Sequence, residues 1–274
     1  MNHGRDARAT LERGISMSGE RRAADILSVP VESMTMRETV ELCEQAIEHR
    51  RPLLVGVVNA AKIVNMHRDA VLNDAVRAAD AIFADGASVV WASRILGCGL
   101  PERVTGIDLM VELFKAADEK RYRIYLLGAK DEVLREVVER IEREYPNAVV
   151  AGCRNGYFNS NEDELVAEEI ARTEADMLFV AMTSPKKEVF LARYARRMGV
   201  PVCHGVGGAF DVMAGKVKRA PAFWQRAGLE WLYRIIQEPR RMWKRYLITN
   251  TLFCGMLLRQ LLTPPKVSRK AREI

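Results

Sequence analysis

Paired cysteines and clustered metal ligands are missing from this sequence. Its five cysteines are scattered and none belongs to a C-x-x-C pair, which argues against a disulfide framework or a zinc site and indicates a reducing compartment. The four histidines are equally dispersed, and no D-x-D carboxylate pair occurs. The sequence therefore predicts neither a bound metal nor a cofactor.

Apolar segments long enough to cross a bilayer are also missing. Residues 1–22 are polar and lack the apolar stretch of a secretory signal, so we expect residues 1–25 to be a disordered N-terminal segment. The longest apolar run, residues 246–258, is interrupted by three polar residues and falls short of the ~20 residues that a spanning helix needs. These absences predict a cytoplasmic protein that does not cross the membrane.

Negative charge is scarce in the C-terminal part of the chain. The net charge is +6, but residues 216–274 contain 14 basic and three acidic residues, which leaves 28 basic and 33 acidic residues before them. A mildly acidic body with a basic tail indicates that the tail meets phosphates, either on a membrane surface or on a nucleic acid.

From residue 53 onward, short β-branched runs alternate with amphipathic stretches. The runs LLVGVV, AIFA, RIYLLG, AVVAG, MLFVAM and PVCHGVG are typical of strands. Parallel strands need crossover helices, so the alternation predicts an α/β protein with a Rossmann-like, doubly wound, mostly parallel sheet. We place this domain at residues 26–215, a basic amphipathic helical appendage at residues 216–262 and a flexible tail at residues 263–274.

The stretch from residue 80 to residue 108 carries the densest polar chemistry. Asp85 and Gly86 follow the predicted strand AIFA, and the carboxyl ends of strands are where open α/β folds bind ligands. The next helix contains Trp91 and Ile95 and is apolar enough to predict a core helix. The alternative role for Asp85 is structural, with its side chain capping that helix. A second polar cluster, in the segment PERVTGID, favours the functional role.

Other strand ends carry candidate ligands, each with a structural alternative. Asn59 could hold a hydroxyl group or cap a helix. Gly128 suits the approach of a phosphate or ribose, but its surroundings do not complete a G-x-G-x-x-G fingerprint. Ser184 and Pro185 are typical of the N-cap and first residue of a helix that carries Glu188 in its first turn.

The glycine run at residues 205–208 is a further candidate. Its backbone N–H groups, including those of Gly207 and Gly208, could bind a diphosphate, and close helix packing is the alternative. Asp211 lies just beyond, where its default role is a negative charge at a helix N-terminus. His204 is predicted to be a hydrogen-bonded core residue rather than a catalytic one.

Several of these motifs together resemble a known family. The segments DGASVVWASR, PERVTGIDLM, VNAAKIV, SPKKEVFLAR and GVGGAFDVMAG are similar to those of the WecG/TagA/CpsF family of bacterial glycosyltransferases. The resemblance covers about residues 26–262. It implies an inverting, metal-independent enzyme that moves an N-acetylmannosamine-type sugar from UDP to a polyprenyl-diphosphate-linked saccharide in surface polysaccharide biosynthesis.

The resemblance also implies roles for individual residues. Asp85 stands at the family's essential aspartate, the base that activates the acceptor hydroxyl. The predicted substrate contacts combine the strand-end candidates with the residues that the resemblance implies. They are Asn59, Gly86, Arg103, Thr105, Gly106, Asp108, Gly128, Pro185, Lys187, Glu188, Gly207, Gly208, Asp211, Lys218 and Arg219.

Two positions depart from the family pattern. Val57 stands where relatives carry a hydroxyl residue, and Lys187 stands where they carry a sugar-contacting amide. An ammonium group at that position suits a phosphate or an acidic sugar, so the identity of the sugar stays open.

Aromatic and basic residues are interleaved at helical spacing in the appendage. This pattern is typical of helices at a bilayer interface, and the alternative is an aromatic stripe packed on the α/β body. In the resembled family the appendage also supplies cationic groups to the active site, for which Lys218 and Arg219 are the candidates here. We predict contact with an anionic membrane, at the inner face of the cell membrane, through Trp231, Arg240, Arg241, Trp243, Lys244 and Arg245.

Two other classes of protein compete with this interpretation. A nucleotide-dependent oxidoreductase would need the complete glycine fingerprint that this sequence lacks. A non-catalytic nucleic-acid-binding protein would explain the basic tail through phosphate contacts. We expect a UDP-sugar and a lipid-linked acceptor as partners and no nucleic acid, and the sequence leaves homo-oligomer formation open.

Overall fold

The computed structural model describes residues 21–263 of the chain. The predictions for residues 1–20 and 264–274 lie outside this range. The side chains of Arg241 and Arg245 are also outside the described part of the chain, although their backbone is within it. The described residues contain eight strands: β1 (Ala23–Ile26), β2 (Val29–Glu32), β3 (Leu53–Val58), β4 (Ala81–Ala84), β5 (Arg123–Gly128), β6 (Val149–Arg154), β7 (Met177–Ala181) and β8 (Val202–Gly205).

Strands β3 to β8 form one parallel sheet, in the order β4-β3-β8-β7-β5-β6. The six runs that the sequence predicts as strands all lie in this sheet, so the α/β, Rossmann-like, doubly wound prediction is confirmed. The helices of the described range are α1 (Met36–Glu48), α2 (Ala60–Met66), α3 (Ala70–Arg77), α4 (Ala87–Ile95), α5 (Gly106–Lys120), α6 (Asp131–Glu144), α7 (Asp163–Arg172), α8 (Lys186–Met198), α9 (Ala209–Met213), α10 (Ala222–Arg226), α11 (Glu230–Gln237) and α12 (Pro239–Leu262).

Helices cover both faces of the sheet. On one face Phe83, Leu113 and Phe179 belong to a single apolar cluster, and on the other Leu54 and Phe190 belong to a second. Strands that are covered on both sides need apolar residues at every position rather than in alternation. For this reason β4 and β7 are buried along their whole length, and the polar residues follow the strands at their carboxyl ends.

The described residues include a hairpin that the sequence does not predict. The sequence predicts disorder for residues 1–25, but residues 23–25 belong to β1, which pairs with β2 in a small antiparallel hairpin. Ile26 and Val31 are fully buried, and this burial compensates for the lost chain entropy. The turn uses Leu27 and Ser28 at φ values of 53° and 64°, a conformation that usually selects glycine or asparagine. The hairpin therefore lacks the usual sequence signal.

Helix α4 is not the core helix that its composition predicts. Val89 and Val90 are buried, but Trp91 is 44% exposed and Ile95 is 55% exposed. The outer side of α4 faces the appendage, where a Cβ atom added to Gly228 would lie 2.9 Å from the Trp91 ring. The expectation was wrong because α4 divides its apolar surface between the sheet and the neighbouring appendage.

The appendage packs partly on the α/β body. Helix α12 begins with Pro239 in its first turn and runs along α2 with Phe253 buried. Gln260 Oε1 accepts a 2.9 Å hydrogen bond from the backbone N–H of Leu27. No helix within residues 21–263 is both long and apolar enough to cross a bilayer.

Candidate active site

The carboxyl edge of the sheet collects most of the predicted site residues. Four adjacent strands, β4, β3, β8 and β7, end there in that order. Asp85 follows β4, Asn59 follows β3, Gly207 lies beyond β8, and Pro185 lies beyond β7. The edge of an open α/β sheet is the usual place for a ligand, so the sheet brings these residues to one candidate site.

Asp85 is fixed by two hydrogen bonds from different elements. Its Oδ1 accepts from the backbone N–H of Gly106 at 3.0 Å, and its Oδ2 accepts from Asn59 Nδ2 at 3.3 Å. The helix that follows Asp85, α4, has Gly86 as its N-cap and no side-chain capping hydrogen bond, so the capping alternative is wrong for that helix. The half-buried carboxylate instead lies at the N-terminus of α5, whose dipole favours a negative charge.

Asn59 has the capping role that the sequence offers as one alternative, and it also contacts Asp85. Its Oδ1 caps α2 by accepting from the backbone N–H of Lys62 at 3.0 Å. The same amide donates to Asp85 from its nitrogen. Because the cap fixes the amide plane, it also fixes the direction from which Asp85 receives a hydrogen bond.

His204 supports this arrangement from beneath. The ring is fully buried, with Nε2 at 3.1 Å from the carbonyl oxygen of Gly106 and Nδ1 at 3.4 Å from that of Val55. Burial lowers the pKa of the imidazole below its ordinary value, and a neutral ring donates through one nitrogen only. The prediction of a hydrogen-bonded core histidine is confirmed, and its partner is the residue whose N–H binds Asp85.

The segment after β4 closes around the start of α5. Thr105 is the N-cap: its Oγ1 accepts from the backbone N–H of Asp108 at 3.1 Å and donates to Asp108 Oδ2 at 2.5 Å. Asp108 forms a two-pronged ion pair with Arg219, at 2.7 Å and 2.8 Å. Burial acts to raise the pKa of Asp108, but hydrogen bonds from Arg219 and Thr105 outweigh it and hold the pKa below its ordinary value.

Glu230 of the appendage was not among the predicted site residues. Its Oε2 lies 2.6 Å from Arg103 Nη1, and its Oε1 lies 3.8 Å from Arg219 Nε. Two guanidinium groups and the carboxylates of Asp108 and Glu230 therefore alternate across the junction between α5 and the appendage. No spacing pattern in the sequence predicts this ion pair, because residues 103 and 230 are far apart in the chain.

A second charged cluster lies at the start of α8. Glu188 Oε1 is 2.6 Å from Lys187 Nζ and 2.9 Å from Lys62 Nζ. Lys187 is 7% exposed and Glu188 is 8% exposed. Lys62 was outside the predicted site, since its partner is far away in the sequence. Of this cluster, Lys187 interacts electrostatically with the carboxylate of Asp85.

The glycine run after β8 makes room for Lys187. A Cβ atom on Gly205 would lie 3.3 Å from Lys187 Cε, and Gly207 adopts a positive φ of 56° with the same side chain 4.0 Å away. The N–H of Gly207 donates to the carbonyl oxygen of Val180. Gly208 is the N-cap of α9, with Asp211 in the first turn, as predicted for a helix start.

Some predicted residues lie apart from Asp85. Gly128 ends β5, four strand spacings or about 19 Å from β4, and a Cβ atom there would lie 2.5 Å from the carbonyl oxygen of Ala181. Gly128 therefore permits close packing of two strands. Pro185 rather than Ser184 occupies the N-cap position of α8, and no side chain caps this helix, so the predicted N-cap is one residue too early. Lys218 is exposed, and its side chain has no hydrogen-bond partner within residues 21–263.

Comparison with known proteins identifies the class of this site. The chain is a glycosyltransferase: residues 24–267 match the family described as "Glycosyl transferase WecG/TagA/CpsF family". It belongs to that family. This membership decides against the oxidoreductase and the non-catalytic alternatives, and it confirms the resemblance that the sequence motifs indicate.

Two relatives have the same name, N-acetylglucosaminyldiphosphoundecaprenol N-acetyl-beta-D-mannosaminyltransferase. The protein from Bacillus subtilis is 37% identical over 223 residues, which cover 81% of this chain and 86% of the relative. The protein from Bacillus spizizenii is 40% identical over 183 residues, which cover 67% of this chain and 68% of the relative.

Proposed function

We propose that the enzyme moves an N-acetylmannosamine-like sugar from a UDP-sugar to a polyprenyl-diphosphate-linked saccharide, with inversion and without a metal, in surface polysaccharide biosynthesis. The names of the two relatives specify the transferred sugar and a lipid-linked diphosphate acceptor. The observation that carries the proposal is the position of Asp85, a carboxylate held at the sheet edge by Gly106 and Asn59.

In this reaction Asp85 is the general base. It takes the proton of the acceptor hydroxyl while that oxygen forms a bond to the anomeric carbon, and the bond from that carbon to the diphosphate breaks. UDP leaves with the electron pair. Each carboxylate oxygen of Asp85 uses one acceptor site for its fixed partner and keeps another for the incoming hydroxyl. A carboxylate is a weak base, so correct placement accounts for much of its contribution.

The departing diphosphate needs positive charge. Arg103 and Arg219 lie next to the start of α5 and are now paired with Glu230 and Asp108. Guanidinium groups bind phosphate oxygens in a bidentate manner and do not lose their charge. Lys218, which is exposed beside Arg219, and the backbone around Gly208 are further candidates for this contact.

The appendage would hold the enzyme on the membrane that contains its acceptor. Trp243 and Leu247 are exposed on α12, and Arg240 and Lys244 are exposed in the same part of that helix. Exposed apolar side chains among basic residues favour a peripheral position on an anionic lipid surface. Trp231 packs on Tyr246 within the appendage, so its role would be to support this surface.

The proposal is tested by incubating the protein with UDP-sugars and a polyprenyl-diphosphate-linked N-acetylglucosamine acceptor and measuring the release of UDP. We expect release to require both the lipid-linked acceptor and one UDP-sugar. Binding of UDP without any acceptor-dependent release, across both N-acetylhexosamine and acidic donors, would contradict the proposal. The product's anomeric configuration tests inversion, and activity in excess chelator tests the absence of a metal requirement.

A further inference from the structure

We propose that His204 is a positioning residue for the base: its ring donates from Nε2 to the carbonyl oxygen of Gly106 and so directs the N–H of Gly106 toward Asp85. The inference rests on the proposed function, in which Asp85 is the general base. It gives a role in the reaction to a fully buried histidine for which the sequence predicts only a place in the core.

His204 connects the middle of the sheet to the start of α5. The residue lies in β8, which is paired with β3 on one side and with β7 on the other. Its Nε2 is 3.1 Å from the carbonyl oxygen of Gly106, and the N–H of the same glycine donates to Asp85 Oδ1 at 3.0 Å. The imidazole and the carboxylate therefore hold one residue, the first of α5, through its two polar backbone groups.

The ring is also in packing contact with Gly106. A Cβ atom on this glycine would lie 3.5 Å from His204 Nε2 and 3.5 Å from a methyl carbon of Val57. Phe179 packs edge-on against the imidazole, with the ring centroids 6.3 Å apart. Because these neighbours confine the ring, its position determines where the first turn of α5 can lie.

The protonation of the ring decides which carbonyl oxygen receives a hydrogen bond. Nε2 faces Gly106 at 3.1 Å, and Nδ1 faces the carbonyl oxygen of Val55 at 3.4 Å. Burial lowers the pKa of the imidazole and outweighs the two carbonyl groups and Asp85, which act to raise it. A neutral ring donates through one nitrogen only, and the shorter distance favours donation to Gly106.

A displaced Gly106 would disturb the orientation of Asp85. Of the two hydrogen bonds that fix the carboxylate, the one from Gly106 is the shorter, at 3.0 Å against 3.3 Å from Asn59. A general base must lie within hydrogen-bond reach of the proton that it takes. Since a misplacement of about 1 Å can cost about 10²-fold in rate, loss of the donor on His204 should lower kcat without weakening nucleotide binding.

The test compares two replacements of His204 in the full chain. His204→Gln keeps an N–H donor, whereas His204→Leu keeps an apolar side chain and removes the donor. For His204→Leu we expect kcat of acceptor-dependent UDP release to fall by about 10–10²-fold, with the KM for the UDP-sugar and the affinity for UDP unchanged. We expect His204→Gln to retain most of the turnover. Thermal unfolding shows the temperature below which each variant is folded.

His67→Leu is the matched control. The Nε2 atom of His67 is 3.0 Å from the carbonyl oxygen of Leu27, so this substitution also breaks a contact between an imidazole and a backbone carbonyl. His67 follows the C-terminal end of α2, whereas Asn59, the partner of Asp85, precedes its N-terminal end. We expect His67→Leu to retain the kcat of the unaltered enzyme.

A double-mutant cycle shows whether His204 acts through Asp85. The proposed base is already absent from Asp85→Asn, so adding His204→Leu should cause no further loss of turnover. If the two losses multiply instead, His204 acts independently of Asp85 and the inference is overturned.

Nitrogen NMR of the histidine rings gives a readout that does not depend on turnover. At pH 7 we expect the ring of His204 to carry its proton on Nε2. A proton on Nδ1 alone would overturn the inference, as would full kcat in folded His204→Leu or an equal loss of kcat in the Gln and Leu variants. Absence of UDP release by the unaltered enzyme would reject the proposed function itself, and the NMR result would still test the hydrogen bond to Gly106.

Discussion

Glu188 joins two lysines from different helices through one carboxylate oxygen. Burial acts to raise the pKa of this group, but Lys62 and Lys187 outweigh burial and lower the pKa to about 2. The pKa of Lys187 is also lowered, first by burial and then by repulsion from Lys62. The two directions agree, because Glu188 is attracted by two cations, whereas Lys187 is buried beside a second lysine.

The lowered pKa of Glu188 makes stability depend on pH. Since the folded-state pKa lies below the ordinary value, the contribution of Glu188 is present above about pH 4.5 and is lost as the pH falls toward 2. At pH 7 we expect Glu188→Gln to lower the free energy of unfolding by about 3 kcal/mol. The difference in unfolding free energy between Glu188→Gln and the unaltered protein should shrink when denaturant unfolding is repeated toward pH 3.

A matched surface change separates this effect from general acid destabilisation. Glu119 is exposed near the end of α5, so Glu119→Gln should follow the unaltered protein at every pH. A gap for Glu188→Gln that stays constant from pH 7 to pH 3 would contradict the account of the buried cluster.

Single residues show where the sequence is a sufficient guide to the site. Asp85 is identifiable because an apolar strand followed by Asp-Gly gives both its place in the fold and a family motif. Lys62 is not identifiable in this way, because its partner is 126 residues away and no pattern encodes their contact. The same limit applies to Glu230, which meets Arg103 only after the appendage has folded back on the body.

At the scale of the elements, the N-terminus of α5 joins the body to the appendage. Asp85 receives the first N–H of this helix, Thr105 caps it, and Asp108 extends from its first turn to Arg219. The segment that carries Asp85, the proposed base, is therefore connected through α5 to the segment that begins the appendage. A substitution of Arg219 should therefore affect both the surroundings of Asp85 and the start of the appendage.

We expect Arg219→Ala to loosen the appendage. The variant loses charge-assisted hydrogen bonds worth about 1–3 kcal/mol, which corresponds to about 5- to 150-fold more frequent local opening. Limited chymotrypsin digestion followed by mass spectrometry would show faster cleavage near Phe223 and Trp224. Arg226→Ala is the control, because Arg226 is exposed on α10 and lies outside the ion-pair network. Equal cleavage rates in both variants would contradict the role of the Arg219–Asp108 pair.

The elements also show how far a fold can be predicted from its sequence. The six strands of the parallel sheet are recognisable because burial on two sides demands continuous apolar runs. The hairpin of β1 and β2 is not, because its turn uses Leu27 and Ser28 in a conformation that favours other residues. The exposure of Trp91 on α4 is likewise beyond prediction, since it depends on where the chain around Gly228 comes to lie.

At the scale of the whole molecule, charge and apolar exposure are unevenly distributed. The appendage carries most of the positive charge surplus, and its helices leave Phe223, Ile236 and Trp243 exposed. The other side of α12 is buried through Met242, Thr249 and Phe253. One side of α12 is therefore buried, and the other side is exposed and forms the proposed lipid-facing surface.

We expect Trp243→Ala to weaken binding to vesicles that contain anionic lipid by about tenfold, the effect of removing one large apolar side chain from the interface. Flotation with such vesicles measures this, and raised salt should weaken binding further. Leu165→Ala is the control, because Leu165 is also more than half exposed, at 63% against 53% for Trp243, but lies on α7 rather than on the appendage. Equal flotation of both variants would contradict the proposed membrane surface.

The role of Asp85 is tested by the turnover of Asp85→Asn, with its nucleotide binding measured alongside. We expect a folded protein that binds UDP with unchanged affinity, while acceptor-dependent release of UDP falls by about 10²–10⁴-fold because the proposed base is gone. Full turnover by a folded Asp85→Asn protein would show that Asp85 is not the base.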